Sequence, residues 1–546
     1  MKVTFFVVLA FFLSFIGYPL FFLFWKSAGV SLDLFPIVWA NIAVRESFAN
    51  SFALACYVTL AATIIGLPLA AVTSFFRIPK SRLWRKLFLL PLVAPPFVAA
   101  IAMRQILARF GPFNLALLHL HIVKEPINFL GSGLAGIFIL QTLHLYPIIW
   151  LNVSASLENL DYSAVEASTN LGASMFHTFR HIILPLVVPG YFAGAFLVFV
   201  WSLTDLGTPL VFDYPHLIPV VVFQSLTDIH TNPNGYILVL FITLFALMFF
   251  FIVRSIVGTR SFVNVARYHT EQEKHPLPPK IAPVVCIFMT ILLAVSLLPH
   301  IAVILNSFAR EWFFTIFPTK WGIQYYRAVF SHALAGKSLL NSLLYSSAAA
   351  CFATVIGLAT GFVLARSTLK WKNALETMVI VPMAVPGIVF AFAYLLAFSG
   401  TFLDPKVFPV FLLVTAYALR RLPFSVRAIL ANFQQMEISC EETAINLGAG
   451  KWRIFLDIIL PRLKNGMFAG LILSFAFSMM EVSASLILVS RERYFPAAKG
   501  IYQLAGRVTD GPYVASALGV LGMIVCFAAL FSVSRFLERR ESSFFL

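Results

Sequence analysis

Long apolar stretches recur along the whole chain, and they constrain its fold more than any other feature of the sequence. A helix that crosses a bilayer needs roughly 20 mostly apolar residues, because lipid offers no hydrogen-bond partner to the backbone. About twelve such stretches are present, which predicts an all-α membrane protein with about 12 transmembrane helices. The predicted spans lie near 4–25, 51–75, 87–103, 134–156, 186–206, 236–256, 281–305, 342–365, 377–400, 408–430, 466–490 and 513–534.

The composition excludes a soluble protein. Only 11% of the 546 residues are charged and 60% are hydrophobic, whereas globular proteins carry roughly 25% charged residues. Too few polar side chains are present to cover a water-facing surface, so membrane lipid is the expected surrounding. The net charge of +16 would suggest a nucleic-acid partner for a soluble protein. Here Lys and Arg cluster in short loops beside the apolar stretches, as membrane topology requires, and no nucleic-acid partner is expected.

The distribution of Lys and Arg predicts the orientation of the chain. Loop 77–86 and segment 254–280 carry five basic residues each, whereas loop 208–235 carries none. By the positive-inside rule, both termini are expected in the cytoplasm. The N-terminal apolar stretch is longer than the ~7–15-residue core of a signal peptide, so we expect it to be retained as the first helix.

An internal repeat relates the two halves of the chain. An offset of 291 residues relates Asn50, Ser51, Gly66, Pro91 and Pro95 to Asn341, Ser342, Gly357, Pro382 and Pro386. Further along the offset is 276, and residues 166–190 align without gaps to 442–466, with eleven of 25 positions identical. Each half holds six predicted spans, so both halves enter the membrane in the same direction. This predicts a parallel repeat about an axis along the membrane normal.

The boundary between the halves is predicted in a polar, proline-bearing segment. Residues 259–280 interrupt the succession of apolar stretches. We therefore expect a first transmembrane half at 1–258, a cytoplasmic linker at 259–280 and a second transmembrane half at 281–546.

The repeated loop between the fourth and fifth spans is the most specific motif in the chain. A glycine six residues after a glutamate is suited to end a short amphipathic helix, and a proline is suited to open the membrane helix that follows. The motif residues are Glu166, Ala167, Gly172, Leu184 and Pro185 in the first copy and Glu442, Ala444, Gly448, Leu460 and Pro461 in the second.

This loop resembles the EAA loop of binding-protein-dependent ABC importer permeases, E-A-A-x(3)-G-x(9)-I-x-L-P. The departures are small, since the first copy reads E-A-S and the second E-T-A. The resemblance implies a type I ABC importer permease fold in a bacterial inner membrane, crossed many times by the chain. It also implies that the short loop helices dock on two ATP-hydrolysing ABC subunits, and that a soluble binding protein delivers the substrate from outside.

No nucleotide site is predicted in this chain. A P-loop requires G-x-x-x-x-G-K-[ST], but Ile445 stands at the first glycine position before Gly450-Lys451, and Trp452 follows the lysine. ATP and Mg²⁺ are therefore expected on the partner subunit, and the chain is not expected to be an enzyme by itself. No catalytic residue, bound cofactor or metal site is predicted.

Four charged residues inside predicted spans are candidates for the translocation path, because ionisable groups at membrane depth are costly. Asp205 and Glu481 differ by the 276 offset, and both fall in the fifth span of their half. They could favour a cationic or metal-bearing substrate, or form hydrogen bonds between helices. Arg420 and Arg421 could pair with Glu481, bind an anionic group of the substrate, or extend to the membrane interface.

The fused halves are similar to those of ferric-iron importer permeases, as are the segments TDLGTPLVF and YALRRLPFSVRA. That resemblance implies ferric iron as the substrate. Permeases for thiamine, phosphonate, polyamines and sulfate share the EAA loop and remain alternatives. An ion-driven secondary transporter is a more distant alternative, because twelve spans in two parallel halves also describe that class. A binding protein is expected on the outer loops, near 26–50, 104–133, 207–235, 306–341 and 491–512.

Overall fold

The computed structural model describes residues 2–93, 95–158, 160, 162–225, 234–257, 275–312, 314–367, 371–479, 481–507 and 510–538. Helices account for most of these residues, as the apolar stretches predict. The helices of the first half are α1 Lys2–Phe12, α2 Tyr18–Ala40, α3 Ile42–Phe75, α4 Ser81–Leu89, α5 Pro96–Ile106, α6 Pro112–His119, α7 Leu134–Glu158, α8 Tyr162–Asn170, α9 Met175–Thr178, α10 Leu184–Thr204, α11 Gly207–Val211, α12 Ile218–Ser225 and α13 Asn234–Val257.

The second half repeats this succession. Its helices are α14 Ala282–Phe308, α15 Gln324–Ser331, α16 Ala333–Arg366, α17 Lys372–Ala384, α18 Gly387–Phe398, α19 Pro409–Gln434, α20 Ser439–Asn446, α21 Lys451–Ile454, α22 Leu460–Met479, α23 Ser483–Leu488, α24 Ala497–Ala505 and α25 Gly511–Glu538. Single π-helical turns lie at Leu13–Gly17, Phe179–Ile183 and Phe455–Ile459, and short 3₁₀ turns lie at Leu90–Leu92 and Glu492–Tyr494.

Four very short strands complete the described secondary structure. Strand β1, Phe76–Arg77, pairs in parallel with β2, His275–Pro276. Strands β3, Ala309–Glu311, and β4, Lys320–Trp321, form an antiparallel hairpin. Most of the predicted linker 259–280 lies outside the described residues; its described end, β2, adjoins the loop after α3.

The number of membrane spans agrees with the sequence prediction when bent helices are counted as spans. Nine helices in the described residues are long and apolar enough to cross a membrane, and two bent pairs raise the number to eleven. A shorter apolar helix, Gly235–Phe249, lies where the remaining span was expected. The chain is thus an all-α membrane protein built from two similar halves.

Two of the predicted spans, 87–103 and 377–400, are sharply bent. The chain turns by 84° between Ser81–Leu92 and Pro96–Ile106, and by 102° between Lys372–Met383 and Gly387–Phe398. Both turns lie at the prolines that the 291-residue offset relates. Proline removes a backbone donor and prevents the preceding residue from staying helical. The duplicated prolines therefore produce the same bend in each half.

The structure confirms the duplication at the level of single elements. Helices α3 and α16 are both 34 residues long and begin and end 291 residues apart. Helices α9 and α21, and the π turns that follow them, are each 276 residues apart. Because a π turn is rare outside functional or strained helices, its recurrence at the same place is a strong sign of common origin.

The repeated Asn-Ser pairs make equivalent hydrogen bonds. The Asn50 Nδ2 group donates to the backbone oxygen of His216 at 3.3 Å, and Asn341 Nδ2 donates to the backbone oxygens of Arg493 and Phe495, both at 3.0 Å. The adjacent serines each accept a backbone N–H from the start of a helix, Ser51 from α12 at 2.9 Å and Ser342 from α24 at 2.7 Å. Each pair therefore anchors the start of a short helix, α12 or α24, to the second long helix of its half.

Glycines let the fifth long helix of each half approach the fourth closely. A Cβ atom at Gly190 would lie 2.9 Å from the Asn152 backbone oxygen, and one at Gly466 would lie 2.4 Å from the Ala428 backbone oxygen. Each glycine is followed four residues later by another, which gives the small-xxx-small spacing of closely packed membrane helices. Close packing here holds α10 against α7 and α22 against α19.

We expect Gly466→Ala to destabilise the chain, because its Cβ would lie 2.3 Å from Asn432 Oδ1 and cannot move away from the backbone of α19. Overpacking of this kind costs about 1–3 kcal/mol. The thermal unfolding midpoint of the detergent-purified chain should fall. Gly522→Ala is the control, since no atom lies within 4 Å of its Cβ position. Equal midpoints for the two variants would contradict the proposed close packing.

Candidate functional site

The two repeated loops have the same backbone geometry. In each, a short helix (α8 or α20) ends at a glycine with positive φ, +81° at Gly172 and +83° at Gly448. A one-turn helix and a π turn follow, and they run directly into α10 or α22. The expected role of the glycines is confirmed, because only glycine adopts this conformation at little cost.

The tips of both loops expose polar motif residues together with large apolar side chains. Glu166 and Glu442 are both exposed. Leu171 is 88% exposed and Leu447 is 82% exposed, immediately before the two glycines. Further exposed apolar side chains on the same turns are Met175, Phe176, Ile445 and Trp452. Apolar side chains collected on a short ordered turn are typical of a protein-docking surface.

Each short loop helix is fixed to the turn that follows, but by different chemistry in the two halves. In the first half the Ser168 and Thr178 hydroxyl groups form a hydrogen bond of 2.9 Å. The equivalent residues of the second half, Ala444 and Ile454, are buried in one apolar cluster. Both arrangements prevent the short helix from moving independently of the membrane helix that begins after it.

An ion pair that the sequence did not reveal ties the second loop to the end of a long helix. The Arg366 guanidinium at the end of α16 donates to Glu441 Oε1 from Nε at 2.9 Å and from Nη2 at 2.7 Å. Both side chains are mostly buried. In the first half, a different pair, Arg85 and Glu158, joins α4 to the end of α7. Each half thus has its own charged connection beside its loop.

Three of the four charged residues predicted for the translocation path form a largely buried cluster. Glu481 accepts from Arg420 Nη1 at 2.5 Å and from Arg421 Nη2 at 2.7 Å. The side chains are 5%, 14% and 11% exposed, respectively. Of the three possibilities for the arginines, the structure shows pairing with Glu481. The two arginines compensate for the cost of burying the carboxylate. The single carboxylate compensates less fully for the cost of burying two arginines.

Asp205 occupies the equivalent place in the first half but has neutral partners. Its carboxylate accepts from Gln141 Nε2 at 3.0 Å and from the backbone N–H groups of Gly207 and Thr208 at 3.0 and 3.3 Å. The Ser202 hydroxyl donates to the other end of Gln141, at 2.6 Å. The duplicated acids have therefore diverged, one into an ion cluster and one into a hydrogen-bond network at the start of α11.

The two halves meet next to these acids. Trp201 and Phe477, which differ by the 276 offset, contact each other with ring centroids 6.4 Å apart. Phe424 stacks on the same Phe477 ring at 5.0 Å, and the Arg421 guanidinium lies 5.5 Å from its centroid. Contact between equivalent residues places the axis of the repeat at this point. Asp205 and Glu481 each lie four residues further along, on either side of the axis.

Two histidines, His300, which is buried, and His144, which is partly buried, lie near the first bend. The His144 Nδ1 atom is 2.7 Å from the Pro91 backbone oxygen, and His144 aligns with Arg420 by the 276 offset. His144 and His300 line one small cavity with Ser296. No sequence pattern marks this pair, because the two residues lie on separate halves with no shared motif.

Comparison with known proteins identifies the family. The family of binding-protein-dependent transport system inner membrane components matches residues 62–260 and 353–543. These two segments together span more than half of the chain. The chain belongs to this family. The double match agrees with the duplication seen in the helices, and it makes the chain a multi-pass inner-membrane permease of the ABC importer type.

Individual relatives of this permease are known transport proteins. A ferric transport system permease protein, FbpB, of Actinobacillus pleuropneumoniae is 26% identical over 497 residues, which cover 88% of this chain and 70% of the relative. A putative ferric transport system permease protein, FbpB 1, of Haemophilus influenzae is 27% identical over 454 residues, or 81% and 70% of the two chains. A molybdate/tungstate transport system permease protein, WtpB, of Methanocaldococcus jannaschii is 32% identical over 204 residues, or 36% and 80%.

We expect Glu481→Gln to destabilise the permease strongly, because it leaves Arg420 and Arg421 buried without their carboxylate. Loss of one partner of a buried ion pair costs about 3–5 kcal/mol. Arg421→Leu should lower the stability less, because one arginine then remains to pair with one carboxylate. Leucine is also the residue at the equivalent position of the first half, Leu145. Thermal midpoints in detergent test this order. A Glu481→Gln chain as stable as the wild type would show that the cluster contributes nothing to stability.

Proposed function

We propose that the chain is the permease of a ferric-iron importer, in which one copy of the chain works with two ATP-hydrolysing subunits and a soluble binding protein. The observation that carries this proposal is the pair of equivalent loops, each with an exposed glutamate and an exposed apolar tip. One chain contains both loops, so it offers one docking surface to each of two ATPase subunits.

The substrate is proposed from the relatives that align with both halves. The two ferric transport permeases match 88% and 81% of this chain, whereas the molybdate/tungstate permease matches 36%. The carboxylate of Asp205 beside the repeat axis, whose hydrogen-bond partners are neutral, also suits a metal-bearing substrate. Thiamine, phosphonate, polyamine and sulfate remain alternatives, since substrate choice in such systems rests largely with the binding protein.

We further propose that both termini and both loops lie in the cytoplasm. The basic loop 77–86 and the loops that carry Glu166 and Glu442 then share one face. The binding protein would meet the opposite face. There Phe110 of the first half and Phe314 of the second are exposed and in contact, with ring centroids 6.4 Å apart. This contact offers a surface to which both halves contribute.

The proposed transport cycle follows from these connections. ATP binding would bring the two ATPase subunits together and draw the loops with them. Because each loop continues into α10 or α22, the movement would reach Trp201 and Phe477 and separate them. Such alternating access requires that ATP and the loaded binding protein bind the two states with different affinities.

An ion-driven secondary transporter is the rival function. It would use Asp205 or Glu481 as an ion site, but Glu481 already pairs with two arginines. It would also leave the two exposed, equivalent loops without a role. The rival is therefore less well supported by the geometry.

We expect a Glu166→Ala/Glu442→Ala variant to lose uptake of radiolabelled ferric iron by about tenfold or more, since coupling free energies are typically about 1–3 kcal/mol. Uptake is measured in iron-starved cells that lack the native gene and carry the wild type or the variant. Thiamine, molybdate and aminoethylphosphonate uptake are measured in parallel, and immunoblots establish equal amounts of permease.

Glu437→Ala is the matched control, because Glu437 is an exposed glutamate on the second loop, five residues before Glu442. It should retain most of the uptake. If another substrate responds while iron does not, the substrate assignment is wrong and the permease assignment stands. Wild-type uptake by the double variant would reject the coupling loops and bring the secondary transporter forward.

A further inference from the structure

Two histidines stand one helical turn apart on the first coupling loop. His177 lies in α9, and His181 lies in the π turn that follows. Both are exposed, and their rings stack with centroids 4.1 Å apart and planes 26° apart. No function described above uses them, and spacing alone did not mark them in the sequence.

The hydrogen bonds leave ring nitrogens available to a ligand. His181 Nδ1 lies 3.1 Å from the His177 backbone oxygen, so this nitrogen carries the proton and donates it to the carbonyl. The neutral imidazole then keeps a lone pair on Nε2. A histidine that donates its other ring N–H to a carbonyl is the usual arrangement at a metal centre. Within the described part of the chain, the His177 ring makes no hydrogen bond.

The backbone beneath the pair is held in place on both sides. The His177 backbone N–H donates to the Ser174 hydroxyl oxygen, which caps this turn at 3.3 Å. Thr178, between the two histidines, is 1% exposed and bonds to Ser168 of α8. The turn is therefore fixed by its buried side while both imidazoles face outward.

The equivalent turn of the second half carries a different pair of side chains. By the 276 offset, His177 corresponds to Arg453 and His181 to Asp457, and these two residues form an ion pair of 3.4 Å. The same backbone thus supports an ordinary surface ion pair in one copy and two stacked imidazoles in the other. The histidines are not required by the local fold.

We propose that His177 and His181 bind one divalent transition-metal ion, with water at the remaining coordination positions. Two imidazoles spaced i, i+4 on one helical face are the arrangement by which helices chelate zinc in H-E-x-x-H motifs. With metal–nitrogen bonds of about 2.0–2.1 Å, two ligand nitrogens stand about 3.3 Å apart. The ring centroids are already 4.1 Å apart, and the rings would rotate out of their stacked arrangement so that one lone pair of each points at the ion. Imidazole favours zinc, copper, nickel and iron over magnesium and calcium.

The site is an open, exchangeable one. The described residues contain no group of three or more His, Cys, Asp or Glu side chains placed to hold a metal ion, so these two imidazoles supply all the protein ligands. Structural zinc sites have four protein ligands and close around the ion. Two ligands on an exposed turn would instead bind and release the ion as its concentration changes.

The test is a calorimetric titration of the purified full-length chain with Zn²⁺, using an affinity tag that contains no histidine. The key variant is His177→Arg/His181→Asp, which installs the residue pair that the second half already carries on the same backbone. We expect the wild type to bind one more equivalent of Zn²⁺ than this variant. His181→Gln, which leaves a single imidazole, should also lose that equivalent.

His119→Gln/His121→Gln is the matched control, since it removes two other exposed histidines and should keep the equivalent. An unchanged elution profile and thermal midpoint would show that the His177→Arg/His181→Asp chain is folded. The proposal is overturned if that variant binds as many Zn²⁺ ions as the wild type. It is equally overturned if the control loses the same equivalent. Neither result bears on iron uptake, so the substrate proposal is tested separately.

Discussion

Each repeated loop is joined to the centre of the molecule by one continuous helical segment, and the proposed function depends on that connection. In the first half, helical hydrogen bonding continues from Met175 through the π turn to Thr204. At 1.5 Å per residue this helix is about 45 Å long. It begins beside the exposed tip of the loop and ends beside Trp201 at the repeat axis. This segment provides a direct path by which a displacement of the loop would reach the contact between the halves.

Glycine contacts decide how such a helix can move. The approach of Gly190 and Gly466 to the neighbouring long helix brings backbones together with few side chains between them. Interdigitated side chains resist sliding, whereas smooth backbone surfaces permit small shear movements of packed helices. The fourth and fifth long helices of each half can therefore shift along each other by small amounts while their backbones stay in contact.

Much of this architecture could be predicted from the sequence because it is encoded locally or repeated. The positive φ of Gly172 and Gly448 followed from the spacing of glycine after a short helix, and the two offsets were enough to predict equivalent halves. The bends at the duplicated prolines were not predicted, because a hydropathy pattern reports how long an apolar stretch is and not where it changes direction.

The partners of the charged side chains could likewise be predicted only in part. Pairing of Glu481 with Arg420 and Arg421 was one of three possibilities, and burial alone could not choose among them. The ion pair of Arg366 with Glu441 was not foreseen, since these residues are 75 positions apart and share no motif. Such partners are determined by helix packing. A single sequence does not show how the helices pack, so it does not show which charged residues form ion pairs.

The divergence of the two loops has a consequence for symmetry. The first loop offers Leu171, Met175 and Phe176 to a partner, whereas the second offers Leu447 and Trp452. If two copies of one ATPase subunit bind this permease, as we propose, identical proteins meet unlike surfaces and their docking free energies differ. The two nucleotide sites of the assembled complex then cease to be equivalent before any nucleotide is bound. The order in which the two ATPase subunits bind or hydrolyse ATP can therefore be determined by the permease.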